Sequence, residues 1–524
     1  MRLRLARTSE FCKTRLMSNL FDADDIQPIE WMTQLIYTNP FSDRHRHLVR
    51  QLLDQTRQPR PASKADVVER RNQQSTAYRG KARPLVYKYR ERLAEKKTCT
   101  PRERKHYTDL VLFLLFFRYQ EHFDQVIDAV MSGESGDAVT FSLFREFQAD
   151  ARHQLAPFGE QSPEIEELPH IFACYFQIHR AFHYVTRSFA GYSPSMVKLR
   201  SDVWESIFTH DMERYKRSLF KRMQEIPTLI TGPSGTGKEL VARAIGLSRY
   251  IPFDSDRTRF ARPFDDGFYP INLTALSETL LESELFGHRK GSFTGALQDR
   301  VGFIERAGAL GSVFLDEIGD VSLTTQVKLL RLLQSRIYQR LGDTTEHTYE
   351  GKFIAATNRE LHQAMEDGQF REDFYYRLSA DRIRTPSLAE QIRERPEVLN
   401  EMVHFLSARV AGSAEAPSVA DETLLYMKHK IPEDYPWPGN VRELEQCIRN
   451  ILIRREYIPE SMQSKESGLD QHLLNTNWTM IELQQRYATL IYRRERSYEQ
   501  AGKLLKVDPR TVKTHVKKFE ESDE

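Results

Sequence analysis

The residues best suited to chemistry begin with a glycine-rich loop that ends in lysine. Gly232 and Gly237 bracket the pattern G-x-x-x-x-G-K, which closes at Lys238. Glycines let backbone N–H groups turn toward phosphate oxygens, and the lysine reaches the β- and γ-phosphates. Residues 228–230 predict a strand and residues 239–247 a helix, whose N-terminus favours anions. We therefore predict an ATP-binding loop made of Gly232, Pro233, Ser234, Gly235, Thr236, Gly237, Lys238 and Glu239.

A pair of acids follows an apolar strand further along the chain. Ser312 to Leu315 is apolar in character and leads into Asp316 and Glu317. Alone, such a pair is a common helix start. Downstream of a phosphate-binding loop it indicates a site in which Asp316 holds Mg²⁺, directly or through water. Glu317 would then orient and deprotonate the attacking water.

The elements that must position these groups alternate between short β-rich runs and helical segments from about 191 to 388. That alternation predicts an α/β layer with a parallel sheet. Residues 1–190 read as mostly helical and 389–456 as helices only. A polar segment, 457–477, predicts a linker, and 478–524 a small helical unit.

Composition limits the class of protein. The 524 residues are 40% apolar and 29% charged, with a net charge of +2, which fits a soluble multidomain protein. The longest apolar run, residues 110–117, is far shorter than the ~20 residues that span a bilayer, so we expect no membrane partner. No signal peptide is evident, and the four cysteines form no C-x-x-C pair. Both observations favour a cytoplasmic location and argue against zinc.

Between the phosphate loop and the acid pair, residues 282–296 read ESELFGHRKGSFTGA. With the motifs above, this stretch resembles the bacterial enhancer-binding proteins, AAA+ ATPases that activate sigma-54 RNA polymerase. The family's GAFTGA loop touches the sigma factor. The resemblance assigns that contact to Gly291, Ser292, Phe293, Thr294, Gly295 and Ala296, with Ser292 where alanine is usual. Phe293 between small residues suits a mobile tip; the plain alternative is a surface turn.

The resemblance also implies roles around the nucleotide. In this chain Glu239 follows the loop lysine, and the family also has glutamate at that position. Asn272 matches an asparagine that holds the catalytic glutamate in an inactive pose, and Asn358 matches a sensor of the γ-phosphate. Arg442, in WPGNVREL, matches the second sensor of a helical lid.

Residues 370–378, FREDFYYRL, follow the family's finger motif. Arg371 and Arg377 match arginine fingers that act on the neighbouring subunit's nucleotide. Fingers supplied in trans imply head-to-tail contacts, which close into rings. The resemblance therefore implies a homo-oligomer, usually a hexamer and sometimes a heptamer. The alternative is two surface arginines in a helix.

The C-terminal stretch YEQAGKLLKVDPRTVKTHVKKF resembles the family's Fis-type helix-turn-helix. Helices are predicted from 498 to 505 and from 509 to 519, and Asp508 and Pro509 suit a helix start. This stretch carries six lysines or arginines against two acids. The predicted DNA-binding residues are Arg510, Thr511, Lys513, Thr514 and Lys517.

Two parts of the chain match no motif. Residues 43–105 carry a net charge of +12, more consistent with solvated helix faces than with a nucleic-acid surface. The family places a signal-responsive domain in the N-terminal position. Residues 251–268, rich in Asp, Arg and Phe, are predicted to be an insertion in the ATPase core.

The sequence thus predicts a multidomain protein with a helical N-terminal regulatory region (1–190), an AAA+ α/β core (191–388), a helical lid (389–456) and a helix-turn-helix (478–524). The predicted function is a sigma-54-dependent activator that binds upstream DNA and uses ATP and Mg²⁺ to remodel sigma-54 RNA polymerase holoenzyme. Two alternatives stay open: a regulator of sigma-70 promoters in which ATP sets only the oligomeric state, and an ATPase that remodels another protein.

Overall fold

A computed structural model describes residues 20–54, 64–96, 99–133, 137–459 and 479–522. The described residues divide into two compact units, separated after Arg449. Most of the predicted linker, residues 460–477, lies outside the described residues, as does Cys12.

The N-terminal part of the first unit is helical, as predicted. Its helices are α1 (Ala23–Ile36), α2 (Asp43–Leu53), α3 (Lys64–Lys96), α4 (Pro101–Arg118), α5 (Gln120–Met131), α6 (Asp137–Leu155), α7 (Pro163–Glu166) and α8 (Leu168–Ser188). The apolar run 110–117 is buried in α4, which explains its composition without a membrane. Among the described residues, the structure contains no helix long and apolar enough to cross a bilayer.

Several basic side chains in the described part of residues 43–105 form ion pairs within the fold. Lys88 of α3 forms ion pairs with Asp22 at 2.5 Å and with Asp25 at 2.6 Å. On the same helix, Arg71 pairs with Asp124 at 2.9 Å. These pairs favour the interpretation as helix faces over a free basic surface.

A five-stranded parallel sheet lies beyond the N-terminal helices, again as predicted. Its strands are ordered β11-β1-β10-β7-β4, with every neighbouring pair parallel. They are β1 (Thr228–Thr231), β4 (Phe268–Asn272), β7 (Ser312–Asp316), β10 (Lys352–Thr357) and β11 (Asp381–Arg384). In such a sheet the loops after the strands meet at one edge, where ligands bind.

Short hairpins interrupt this layer. The predicted insertion contains β2 (Phe253–Asp254) and β3 (Arg259–Phe260), and its last residue already belongs to β4. The other pairs are β5 (Gly287–His288) with β6 (Arg300–Val301), and β8 (Ile337–Tyr338) with β9 (His347–Thr348).

Helices complete the core and form the segment predicted to be a lid. Those of the core are α9 (Pro194–Phe208), α10 (Met212–Arg217), α11 (Lys238–Leu247), α12 (Glu278–Phe286), α13 (Phe303–Ala307), α14 (Leu323–Ser335), α15 (Leu361–Glu366) and α16 (Glu372–Leu378). The following helices are α17 (Leu388–Glu394), α18 (Glu397–Lys430, interrupted at Gly412) and α19 (Asn440–Arg454).

The second unit contains three described helices after the linker. They are α20 (Met480–Glu495), α21 (Tyr498–Leu505) and α22 (Pro509–Ser522). Ala488, Ile491, Ala501, Val512 and Val516 form their common apolar core.

Candidate functional site

The glycine-rich loop joins β1 to α11, the strand–loop–helix setting that the sequence predicts. Gly232, Gly235 and Gly237 all have positive φ. A Cβ atom on Gly232 would lie 2.2 Å from Thr385 Oγ1, and one on Gly235 would lie 2.2 Å from the carbonyl oxygen of Gly439. These two positions therefore accept only glycine, because neighbouring backbone or side-chain atoms come too close.

Lys238 is the first residue of α11 and is only 7% exposed. Its Nζ donates to the carbonyl oxygens of Gly232 at 3.1 Å and Pro233 at 3.3 Å, so the ammonium lies along the loop. Burial lowers its pKa, while Asp316 and Glu317 act in the opposite direction. The ammonium and the two carboxylates therefore share one electrostatic environment, as a phosphate and magnesium site requires.

The acid pair lies at the end of β7, two strands from the loop. Asp316 Oδ1 accepts a hydrogen bond from the Glu317 backbone N–H at 3.0 Å. Glu317 has a φ of +57°, a left-handed conformation that turns its side chain away from the strand direction. Its Oε2 accepts from the backbone N–H of Asn358 at 3.4 Å. The structure thus brings the predicted catalytic acid and the predicted sensor residue together.

A magnesium ion fits the chemistry of these residues. Among the described residues, no group of three or more His, Cys, Asp or Glu side chains forms a metal cage. Mg²⁺ usually needs only one or two carboxylates when nucleotide phosphates supply further oxygens. The partly buried carboxylate of Asp316 would fit that role.

Asn272 does not act on Glu317 in this structure. It ends β4 directly beside Asp316 in the sheet register. However, its Oδ1 accepts from the backbone N–H of Thr274 at 3.0 Å and from Thr274 Oγ1 at 2.8 Å. Within the described residues no hydrogen bond joins Asn272 to Glu317. The inactive pose implied by the resemblance is therefore not the arrangement seen here, and the role stays a prediction.

Residues of the lid contact the loop directly. Arg442 Nη1 donates to Ser234 Oγ at 3.1 Å, which places the predicted second sensor at the nucleotide loop. The sequence interpretation gave no role to Asn440, which is 3% exposed. Its Nδ2 donates to the Ser234 carbonyl oxygen at 2.9 Å, and its Oδ1 accepts from the Leu388 backbone N–H at 2.8 Å. One amide thus ties the loop to the first residue of α17.

This link makes a prediction about Asn440. Asn440→Ala would leave the buried N–H of Leu388 without a partner and place alanine at a φ of +55°. We expect a loss of about 2 kcal/mol in unfolding free energy, measured by urea denaturation. Asn440→Gly, which also lacks the amide but adopts the positive φ without strain, is the matched control and should lose less. A wild-type urea midpoint for Asn440→Ala would contradict the assignment.

The predicted fingers lie on α16, away from the loop. Arg371, just before the helix, and Arg377 are both exposed. Arg371 forms a two-point ion pair with Asp373, at 3.0 and 2.8 Å, which lowers the pKa of that carboxyl. In the described residues no hydrogen bond connects either guanidinium with residues 232–239. Neither side chain therefore contacts the phosphate loop of its own chain by a hydrogen bond, and the role in trans stays a prediction.

The 291–296 loop projects from the β5–β6 hairpin and is closed at its base. The backbone N–H of Gly291 donates to the carbonyl oxygen of Ala296 at 2.9 Å. Below it, Arg289 pairs with Asp299 at 2.7 Å and with Asp343 at 2.9 Å. Thr294 is exposed. The loop is thus a defined turn on an anchored stalk.

Phe293 departs from the predicted free tip. It is only partly exposed, and its ring packs edge-on against His288, with centroids 5.0 Å apart. His288 is itself fixed by Ser283 Oγ at 2.7 Å. Leu297, which the sequence interpretation did not single out, is 78% exposed. The apolar side chain offered to solvent here is therefore Leu297 rather than Phe293.

The second unit contains a helix, α22, over the residues of the predicted recognition helix. Asp508 Oδ1 accepts from the Arg510 backbone N–H at 2.8 Å and so starts α22. A Cβ on Gly502 would lie 2.9 Å from the Val507 carbonyl oxygen, so the turn after α21 requires glycine. The five predicted DNA-binding residues are all on the exposed side of α22: Arg510, Thr511, Lys513, Thr514 and Lys517.

Comparison with known proteins agrees with this geometry. The family described as "Sigma-54 interaction domain" matches residues 208–384. The Nif-specific regulatory protein of Azotobacter vinelandii is 44% identical over 230 residues, covering 44% of this chain and 40% of the relative. The DNA-binding transcriptional regulator NtrC of Rhizobium meliloti is 38% identical over 262 residues, 48% of this chain and 50% of the relative. The transcriptional regulatory protein ZraR of Escherichia coli is 42% identical over 240 residues, 45% and 49% respectively.

The chain therefore contains a sigma-54 interaction domain with a P-loop α/β core, and it is related to the sigma-54-dependent activators through that domain. It spans half or less of the length of these curated relatives.

Proposed function

We propose that this chain is a sigma-54-dependent transcriptional activator that couples ATP hydrolysis in a ring to promoter opening. One observation supports this most strongly. The sigma-54 interaction domain carries, in one folded layer, a phosphate loop, an acid pair and a projecting 291–296 loop. A nucleotide motor and a contact element within one domain fit an ATPase that moves a partner protein.

The proposed hydrolysis uses groups whose positions are described above. Lys238 and the backbone N–H groups of the loop bind the β- and γ-phosphates. Glu317 orients the attacking water and accepts its proton. Asp316 would hold Mg²⁺ together with the phosphates, and the ion would supply positive charge that offsets the charge developing on the phosphoryl oxygens. Asn358, whose backbone N–H holds Glu317, connects that base to the γ-phosphate.

A neighbouring subunit completes the proposed site. Arg371 or Arg377 of one subunit reaches the γ-phosphate bound to the next and spreads charge over its oxygens. This requires a ring, for which a hexamer is the proposed state. Arg442 joins lid position to the nucleotide through Ser234, so loss of the γ-phosphate can move the lid.

The output is proposed to pass through the 291–296 loop to sigma-54, and the second unit is proposed to hold the protein on upstream DNA.

Single-round transcription tests the function. With wild-type protein and ATP, open complexes should form with sigma-54 holoenzyme and not with sigma-70 holoenzyme. Activation of the sigma-70 enzyme alone would overturn the proposal.

Thr294→Ala should separate the motor from its output. The side chain is exposed and remote from the phosphate loop, so ATP hydrolysis should stay within about 2-fold of wild type. Open-complex formation with sigma-54 holoenzyme should fall by about 10-fold or more, as for a lost interface contact. Both rates are measured on the same preparation, with Gln298→Ala, also exposed, as the control. Undiminished promoter opening would remove the loop from the proposed contact.

A further inference from the structure

The 251–268 insertion does not stand apart as a surface hairpin. Ile251, Phe253 and Phe264 are 3%, 7% and 7% exposed, and all three belong to the same buried apolar cluster as α1–α8. A segment of the ATPase core therefore supplies part of the hydrophobic core of the N-terminal helices. The predicted boundary near residue 190 divides the chain in sequence but does not divide this core.

Aromatic rings make the connection specific. The Phe253 ring centroid lies 4.5 Å from that of Phe144 on α6 and 4.9 Å from that of Phe172 on α8. Phe260 stacks on Phe176, also on α8, with centroids 4.7 Å apart. Offset and edge-on pairs at these distances are attractive beyond the area they bury. The hairpin is therefore held by specific contacts between aromatic rings as well as by the burial of apolar surface.

Polar side chains of α8 reach the end of α11 beside this hairpin. Gln177 Nε2 donates to the Ser248 carbonyl oxygen at 2.9 Å. The Arg180 guanidinium donates to the Arg249 carbonyl oxygen. The acceptors are the C-cap residue of α11 and the residue after it, so both lie just past the C-terminal end of the helix, where the dipole is negative and a cation is favourable.

Arg180 is unusual because it is 1% exposed and, among the described residues, has no carboxylate partner. Its guanidinium lies 5.6 Å from the centroid of Phe176 and 5.7 Å from that of Phe264. The helix end and the two rings are therefore its main compensation for burial. A buried charge held in this way is sensitive to any movement between α8, α11 and the insertion.

The opposite end of α11 carries Lys238, ten residues before Ser248. Along the length of α11, residues 181, 184 and 185 of α8 share a buried cluster with residues 241, 242, 244 and 245 of α11. Close-packed interiors transmit strain, so α8 and α11, which share this cluster with the sheet, are mechanically connected, and Lys238 lies on α11.

We propose that the 251–268 insertion is a docking surface for the N-terminal helices of the same chain, and that Gln177 and Arg180 are positioning residues that fix α11 and, through it, Lys238. The docking surface does not depend on the proposed function. The effect on nucleotide affinity rests on the proposed function. In this arrangement a signal that loosens α8 weakens nucleotide binding without touching the nucleotide.

The experiment uses full-length variants and two readouts. The dissociation constant of a fluorescent ATP analogue reports on Lys238, and proteolytic cleavage between the N-terminal helices and the core reports on docking. Arg180→Met and Phe260→Ala should each raise the dissociation constant of the analogue by about 5-fold or more. Each should also speed proteolytic cleavage. Arg180→Lys, which keeps a cation at the helix end, should recover part of the affinity. Ser255→Ala, at the exposed tip of the hairpin, should match wild type in both readouts.

A double-variant comparison tests the aromatic contact itself. The effects of Phe176→Ala and Phe260→Ala on the thermal midpoint should be less than additive, whereas Phe176→Ala and Ser255→Ala should add. Phe260→Leu, which fills more of the volume, is measured beside Phe260→Ala in case the latter does not fold. Additive effects for the Phe176 and Phe260 pair would overturn the docking surface.

The two proposals fail in different ways. If wild type does not bind the ATP analogue, the proposed function fails, while cleavage and additivity still decide the docking surface. If wild type binds the analogue and folded Arg180→Met binds it with unchanged affinity, the positioning role is wrong and the proposed function stands.

Discussion

A Glu317→Gln variant should bind ATP with wild-type affinity and hydrolyse it about 100-fold or more slowly. Lys238 and Asp316, which are proposed to hold the nucleotide and its Mg²⁺, are unchanged. Glutamine keeps an oxygen that can accept from the Asn358 backbone N–H, as Glu317 Oε2 does at 3.4 Å. Only the base is lost, so fold and binding are retained.

The measurement for this variant is phosphate release under steady-state conditions, with nucleotide affinity taken by equilibrium titration. Glu366→Gln, an exposed glutamate on α15, is the matched control and should hydrolyse ATP at the wild-type rate. If Glu317→Gln retains most of its turnover, another group activates the water. A parallel loss of affinity would mean that Glu317 acts on binding instead.

Arg377→Ala should lower ATP hydrolysis by about 1,000-fold or more while nucleotide binding survives. The side chain is exposed on α16 and makes no hydrogen bond to its own phosphate loop in the described residues. Its proposed action is on the nucleotide of the adjoining subunit. Arg371→Ala should behave alike, with a milder effect if its ion pair with Asp373 persists in the ring.

Mixing subunits tests the action in trans. Arg377→Ala subunits keep an intact phosphate loop, and Lys238→Ala subunits keep intact fingers. A ring that contains both should form some complete sites and regain part of the activity that each preparation lacks. Arg393→Ala changes another exposed arginine and is the control. It should hydrolyse ATP at the wild-type rate without being mixed with another variant. Failure of every mixture, despite mixed rings in native mass spectrometry, would place the fingers in cis or remove their role.

The nucleotide groups could be predicted from sequence because their chemistry is local. Turning backbone N–H groups onto phosphate needs glycines at fixed spacing, and Gly232 and Gly237 have positive φ as that geometry requires. Parallel pairing then brings the ends of β4, β7 and β10 to one edge of the sheet, so Asn272, Asp316 and Asn358 meet there. The alternation of strand and helix patterns predicted the parallel sheet, whereas the order of its strands came from the structure.

Contacts between distant parts of the chain were decided only by the tertiary structure. Asn440 bonds to Ser234, 206 positions earlier, and no spacing rule connects the two. Phe293 was predicted to be a free tip from its small neighbours, but packing on His288 buries part of the ring. Asn272 was predicted to hold Glu317, but its amide oxygen accepts from Thr274 instead, so that role stays a prediction.

The N-terminal region shows most clearly the difference between what the sequence predicts and what the tertiary structure decides. The sequence by itself predicted that residues 1–190 are mostly helical, as the described part of that region is, and that residues 251–268 are an insertion in the ATPase core. It did not determine that Phe253, Phe260 and Phe264 would enter the cluster of those helices. Apolar residues in a sequence predict burial but not the surface against which they pack, because the hydrophobic effect is non-directional. The partner is chosen by shape and by the polar groups around it, here the carbonyls at the end of α11 that Gln177 and Arg180 satisfy.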